Sequence, residues 1–289
     1  MALRIIADSA CDLTLEQARE LGVEIVPLKV LFGGTEYRDV FDLDSRAFFE
    51  KLVETVELPT TSAVAPGAFL ELFQEVLAAG DEAVVVLLSS KLSATYQSAV
   101  TALGMLGSAG QGIRLVDSLS ATVGEQLLVR VACDMRSEGA SAEQVAARLE
   151  ELVPRVRVLA LLDTLEYLKK GGRISSTVAF AGKLLSIKPV ISVEGGEVKL
   201  AGQARGSKNG RNLLVESVEK FGGVDLELPF RLVYSGLSCN TLYKYWEDNA
   251  ARFLGEVDAE PPITGIGPVI GTHIGPNALG VAFISKQGA

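Results

Sequence analysis

The sequence predicts an α/β fold of two domains. Residues 1–155 form a doubly wound, mainly parallel sheet, and residues 156–289 a smaller α+β domain with a mainly antiparallel sheet. Three observations carry this expectation. Short apolar runs alternate with helical stretches through the first half, the pattern of a parallel sheet. Val84, Val85, Val86, Leu87 and Leu88 form an apolar run bounded by polar residues, as in a strand buried on both faces. Beyond residue 155 the strands flank Gly195-Gly196, a strong two-residue hairpin signal.

Element by element, residues 3–7 read as a strand that ends in a turn of Asp8, Ser9, Cys11 and Asp12. Thr14 and Gln17 make a capping box for a helix that stops near Gly22. Residues 24–32 read as the next strand, with Gly33-Gly34 as its turn. Asp44 caps a helix in which Phe48, Leu52 and Val56 recur at helical spacing. Thr60-Thr61-Ser62 read as a polar turn before Pro66, a residue suited to the first position of a helix ending near Gly80. Residues 113–116 form a strand, followed by the polar turn from Asp117 to Ala121 and a long helix. Ser141 with Gln144 caps another helix, which Pro154 stops. In the second half, residues 156–162, 186–193, 197–201, 230–234 and 279–285 read as strands. Helices near 207–221 and 239–253 cover them.

Bulk properties exclude several functions. The 289 residues carry 27 Lys and Arg against 36 Asp and Glu, a net charge of −9, which disfavours a nucleic-acid partner. A cationic leader with an apolar core is not visible, and no apolar run reaches the length of a membrane span. Cys11, Cys133 and Cys239 are far apart and odd in number, so free thiols in a reducing cytoplasm are expected. With His273 as the only histidine, neither a zinc site nor any other metal is expected.

The chemistry concentrates where the apolar run at 84–88 breaks into Ser89, Ser90, Ser93, Thr95 and Tyr96. Ligands of open parallel sheets bind outside the carboxyl ends of the strands, where helix N-termini favour anions. Any one of the hydroxyl-rich turns at 60–62, 89–95 and 118–122 is explained by helix capping. Three together at one end of the sheet indicate a site. Hydroxyls with no acid, base or metal ligand among them make a binding cradle for an anionic head group. An enzyme acting on a small anionic substrate, a phosphotransferase or hydrolase, is the competing class. Neither a GxxxxGK[ST] loop nor a GxSxG elbow is present to support it.

Read in order, these segments resemble the DegV family of bacterial fatty-acid-binding proteins. The marks are Asp8-Ser9 before Asp12-Leu13, Thr61-Ser62 before Pro66, and the run from Ser89 to Ala99. Val116-Asp117-Ser118, Gly171-Gly172-Arg173-Ile174, Ile187-Lys188-Pro189 and Gly271-Thr272-His273-x-Gly275-Pro276 complete them. The resemblance implies a carrier with no cofactor that holds one long-chain fatty acid in a tunnel between its domains. Catalysis is then expected on a partner, the ATP-binding subunit of a fatty-acid kinase, whose acyl phosphate enters phospholipid synthesis. A lipid-sensing regulator without a kinase partner fits the same residues. By the same resemblance Thr61 and Ser93 donate to the carboxylate, with Ser62 and Thr95 beside them and Thr272 and His273 in the same network. Arg173 and Arg205, in glycine-flanked turns, read either as solvated charges or as a basic rim contacting the kinase or the transferred phosphate. Ala121, with Phe180 and Leu184 in the apolar stretch at 178–185, is the candidate tail lining, though core packing explains these residues equally well. Ala63-Val64-Ala65, Ala94 and Asn277 depart from the family pattern, the last two standing where it has glycine.

Overall fold

The structure is a computed structural model and describes residues 2–175, 186–254 and 261–286. The first half runs β1 (Leu3–Asp8), α1 (Leu15–Leu21), β2 (Val23–Val26), β3 (Lys29–Phe32) and β4 (Thr35–Arg38). It continues with α2 (Ser45–Glu54), β5 (Thr60–Ser62), α3 (Pro66–Ala78), β6 (Glu82–Leu87) and α4 (Thr95–Leu106). β7 (Ile113–Asp117), α5 (Val123–Ser137) and α6 (Ala142–Leu152) complete it. The second half runs β8 (Val156–Leu161), α7 (Glu166–Lys170), β9 (Ile187–Glu194), β10 (Glu197–Arg205) and α8 (Ser207–Lys220). It ends with β11 (Phe230–Tyr234), α9 (Asn240–Leu254), β12 (Ile263–Gly265), α10 (Pro268–Ile274) and β13 (Leu279–Ile284).

A four-stranded parallel sheet, β2-β1-β6-β7, carries the first half. A six-stranded sheet, β10-β9-β8-β13-β11-β12, carries the second and is antiparallel except between β11 and β12. Most local signals act as the sequence implies. Thr14 and Ser141 form complete capping boxes with Gln17 and Gln144. The Asp44 carboxylate caps α2 at Ala47 N–H, 2.8 Å, and Pro66 occupies the first turn of α3. Gly195 and Gly196, both at positive φ, turn β9 into β10.

Three expectations are corrected. The single strand at 24–32 is two strands in different sheets, because Pro27 has no N–H to give a ladder. Leu28 N–H instead donates to Ser9 Oγ, 3.0 Å, and β3 turns away to pair with β4 and β5. The residues Thr60-Thr61-Ser62 are β5 itself, with Thr61 opposite Val30. Helix α2 ends at Glu54, so Val56 lies beyond it and is fully exposed, while Phe48, Phe49 and Leu52 fill the core. Neither β12 nor α10 was expected from the sequence, and α10 carries His273 in its last turn.

Helix α5 explains how the halves join. Val123 to Val129 are all buried, and so are Val131, Ala132 and Cys133. A helix covered nearly all round lies inside a protein rather than on it, and α5 packs on β1 and β6 on one side and β8, β11 and β13 on the other. Val158, Val193, Val233, Ala282 and Ile284 therefore belong to the same apolar core as Ile5, Val85 and Leu127. The opposite face of the six-stranded sheet, with Leu159, Leu161, Leu232, Val281 and Phe283, forms a second core with residues of α8 and α9.

Candidate ligand-binding site

A cavity of about 310 Å³ lies between the carboxyl end of the parallel sheet and the six-stranded sheet. Strand alternation builds its wall. Val158 and Ala160 of β8, Ile191 and Val193 of β9 and Val233 of β11 face it, while their neighbours Leu159 and Val190 point into the second core. The lining is apolar apart from Thr61, Ser62, Ser93, Thr122, Arg173, Tyr234 and His273.

The polar groups centre on His273. Its Nε2 lies 2.9 Å from Thr61 Oγ1, joining the last turn of α10 to the short strand β5. Burial, with the Arg173 charge nearby, lowers the imidazole to about 4, so it is neutral at physiological pH. Nδ1 is buried with no hydrogen-bond partner among the described residues. It lies against Gly171, where any Cβ would overlap the ring. The Arg173 guanidinium is half-buried and anchored to main-chain carbonyls, Nε to Leu92 at 3.1 Å and Nη1 to Gly171 at 2.6 Å. Ser93 Oγ accepts from Thr95 N–H, 3.2 Å, and lies 2.9 Å from Thr95 Oγ1. Thr95 Oγ1 in turn accepts from Val64 N–H at 3.4 Å, tying the loop after β6 to the loop after β5.

The structure thus brings Thr61, Ser62, Ser93, Arg173, His273 and Ala121 to one cavity. Thr95 is fully buried behind Ser93 and is not in the lining. Thr272 is also outside it, because its hydroxyl donates to Pro268 C=O within α10, 2.9 Å. Arg205 is exposed at the end of β10 and is not part of the lining. Phe180 and Leu184 lie outside the described residues. Of the departures from the family pattern, Ala94 sits in ordinary helical geometry on the cavity wall and Asn277 adopts φ 63°, a left-handed conformation asparagine tolerates. The strand residues of the wall were missed by the sequence reading. The alternation of Val156, Val158 and Ala160 against Leu159 and Leu161 was the available signal, but period-2 apolarity on both faces reads only as burial.

Fold and site define an α/β protein with an apolar chamber whose polar corner offers neutral donors and one guanidinium. The chain belongs to the DegV family: the family model, described as uncharacterised protein, DegV family, matches residues 2–286. A DegV domain-containing protein of Caldanaerobacter subterraneus is 33% identical over 98% of this chain and 99% of its own. Among solved structures, a fatty-acid-binding DegV family protein from Thermus thermophilus is 33% identical, with a TM-score of 0.87 over 99% of this chain and 100% of its own. A stearic-acid-binding protein from Eubacterium ventriosum is 28% identical, with a TM-score of 0.87 over 99% of both chains.

Proposed function

We propose that the protein binds one long-chain fatty acid in this cavity, tail against the strands and carboxylate at Thr61, Ser93 and His273. The observation that carries the reading is the neutral His273–Thr61 pair at the polar corner of a chamber otherwise lined by apolar side chains. Burying about 14 methylenes at ~0.8 kcal/mol each contributes roughly 11 kcal/mol before ordering costs. The tail supplies affinity and the head group orientation. The fatty-acid ligands of the Thermus and Eubacterium relatives support the same reading. A small polar substrate, as the competing hydrolase or phosphotransferase would need, matches the apolar wall poorly.

The protein then acts as a carrier in the cytoplasm and not as an enzyme. It presents the carboxylate to a separate ATP-dependent kinase, and the acyl phosphate feeds phospholipid synthesis. Neutral donors suit this role, because a bidentate arginine pair would occupy the oxygen to be phosphorylated. Arg173, at the polar corner, and Arg205, exposed on β10, are the cations for the phosphate and the kinase.

Native mass spectrometry of the purified protein, followed by denaturation and lipid analysis, tests the first step. One long-chain fatty acid per chain is the expected result. A protein that is empty and takes up neither palmitate nor oleate would refute it. Replacing Thr61 and Ser93 together by alanine is expected to weaken palmitate binding about tenfold while the fold persists.

A further inference from the structure

The motif Asp8-Ser9-x-x-Asp12 lies outside the cavity lining, yet it reaches the helix that carries His273. Helix α10 begins at Pro268, which has no N–H. The two amide donors flanking it are both taken by carboxylates from the first half of the chain. Gly267 N–H donates to Asp12 Oδ1, 2.9 Å, and Val269 N–H to Asp39 Oδ1, 3.4 Å. The preceding carbonyl, of Ile266, accepts from Ser45 Oγ at 2.6 Å. Each carboxylate is itself braced: Thr122 Oγ1 donates to Asp12 Oδ2, 2.5 Å, and Ser9 Oγ to Asp39 Oδ2, 2.7 Å. All four side chains are buried.

The backbone of this cluster is strained. Asp12, Val40 and Thr122 all have positive φ, at 56°, 57° and 52°. Such a conformation is costly for β-branched residues and persists where surrounding contacts over-determine it. Gly267 closes the arrangement, since a Cβ there would stand 2.9 Å from Asp12 Oδ1 and 3.6 Å from Asp39 Oδ1. Downstream, Gly271 lies against the rings of Phe48 and Phe49, where a Cβ would overlap them, and His273 follows two residues later in the same short helix.

We propose that Asp12 and Asp39 are positioning residues that clamp the start of α10 and thereby hold His273 at Thr61 in the head-group site. The inference rests on the fatty-acid reading, in that it assigns the clamp to recognition of the carboxylate and not of the tail. Burial raises Asp39 to about 7, so an amide at that position is a fair replacement that keeps an acceptor for Val269.

The test compares hexadecanoate with hexadecanol in the wild type and in Asp39→Ala, Asp39→Asn and Gly267→Ala, alongside NMR titration of the ligand-free proteins. His273 is the only histidine in the chain, so its ring signal needs no assignment. Asp39→Ala and Gly267→Ala are expected to lose about tenfold in hexadecanoate affinity, with hexadecanol unchanged. The His273 pKa is expected to move upward towards 6.5, and Asp39→Asn to restore both readouts. Gly267→Ala leaves every charge in place and serves if Asp39→Ala does not fold. Parallel loss of both ligands, or an unmoved His273 titration in the folded variants, would overturn the clamp. A wild type with no preference for hexadecanoate would refute the head-group reading instead, and the titration would still decide the clamp.

Discussion

His273 concentrates the electrostatics of the site in one side chain. Its pKa falls from 6.5 to about 4 through burial and the Arg173 charge. Between those values the unfolded chain binds more protons than the folded one, so the neutral ring's contribution is complete above 6.5 and is lost as pH falls towards 4. The shift corresponds to about 3 kcal/mol. Burial lifts Asp8 and Asp39 the other way, to about 7, so their contribution declines as pH rises from the ordinary carboxylate range to 7. The two trends oppose each other in the wild type, and a histidine variant separates them. His273→Gln is expected to gain stability relative to the wild type as pH is lowered from 7 to 4, by up to about 3 kcal/mol in urea unfolding. Parallel stability–pH curves for the two proteins would contradict this. His273, Thr61 and Ser93 stand in recognisable motifs, and all three line the cavity. The His273 motif also pointed to Thr272, whose hydroxyl is spent on Pro268. Which of two adjacent residues faces a cavity depends on helix phase, and no helix was expected there.

Strands of the six-stranded sheet build one wall of the chamber. β8 and β9 each send alternate side chains to the cavity and to the second core, so a substitution on the cavity side changes the chamber and spares the packing under α8 and α9. Ala160→Phe, at a position 8% exposed and on the cavity wall, is expected to leave the melting temperature within a few degrees of the wild type. It should abolish binding of sixteen-carbon chains while an eight-carbon acid is retained, as measured by calorimetry. Equal binding of palmitate by both proteins would remove the strands from the tail site. The split of residues 24–32 has its cause at Pro27 and was readable in principle. What the sequence did not reveal was that the severed piece would join β5 and place Thr61 opposite Val30, because strand partners are chosen by distant residues.

The molecule as a whole depends on α5. The helix lies between the two large sheets, and residues after 155 complete the core that residues before 155 begin. Thermal unfolding by scanning calorimetry is therefore expected as one cooperative transition, with calorimetric and van't Hoff enthalpies in agreement. Two resolved transitions would mean that the halves at 1–155 and 156–289 hold separate cores. The cavity occupies the seam between these halves. The C-terminal segment crosses that seam to deliver α10 onto α2, β3 and β5.

By itself the sequence determined what local physics controls. Capping boxes, a proline at a helix start, a Gly-Gly hairpin and a doubly buried strand each act within a few residues and were legible one by one. The hydroxyl-rich turn after β6 was legible for the same reason. Tertiary structure alone decided that Asp12 and Asp39 reach the start of α10, that His273 meets a threonine 212 positions away, and that Thr95 and Thr272 turn from the cavity. Those outcomes depend on how two sheets pack on one shared helix, and that packing is a sum of many weak apolar contacts that no short stretch of sequence encodes.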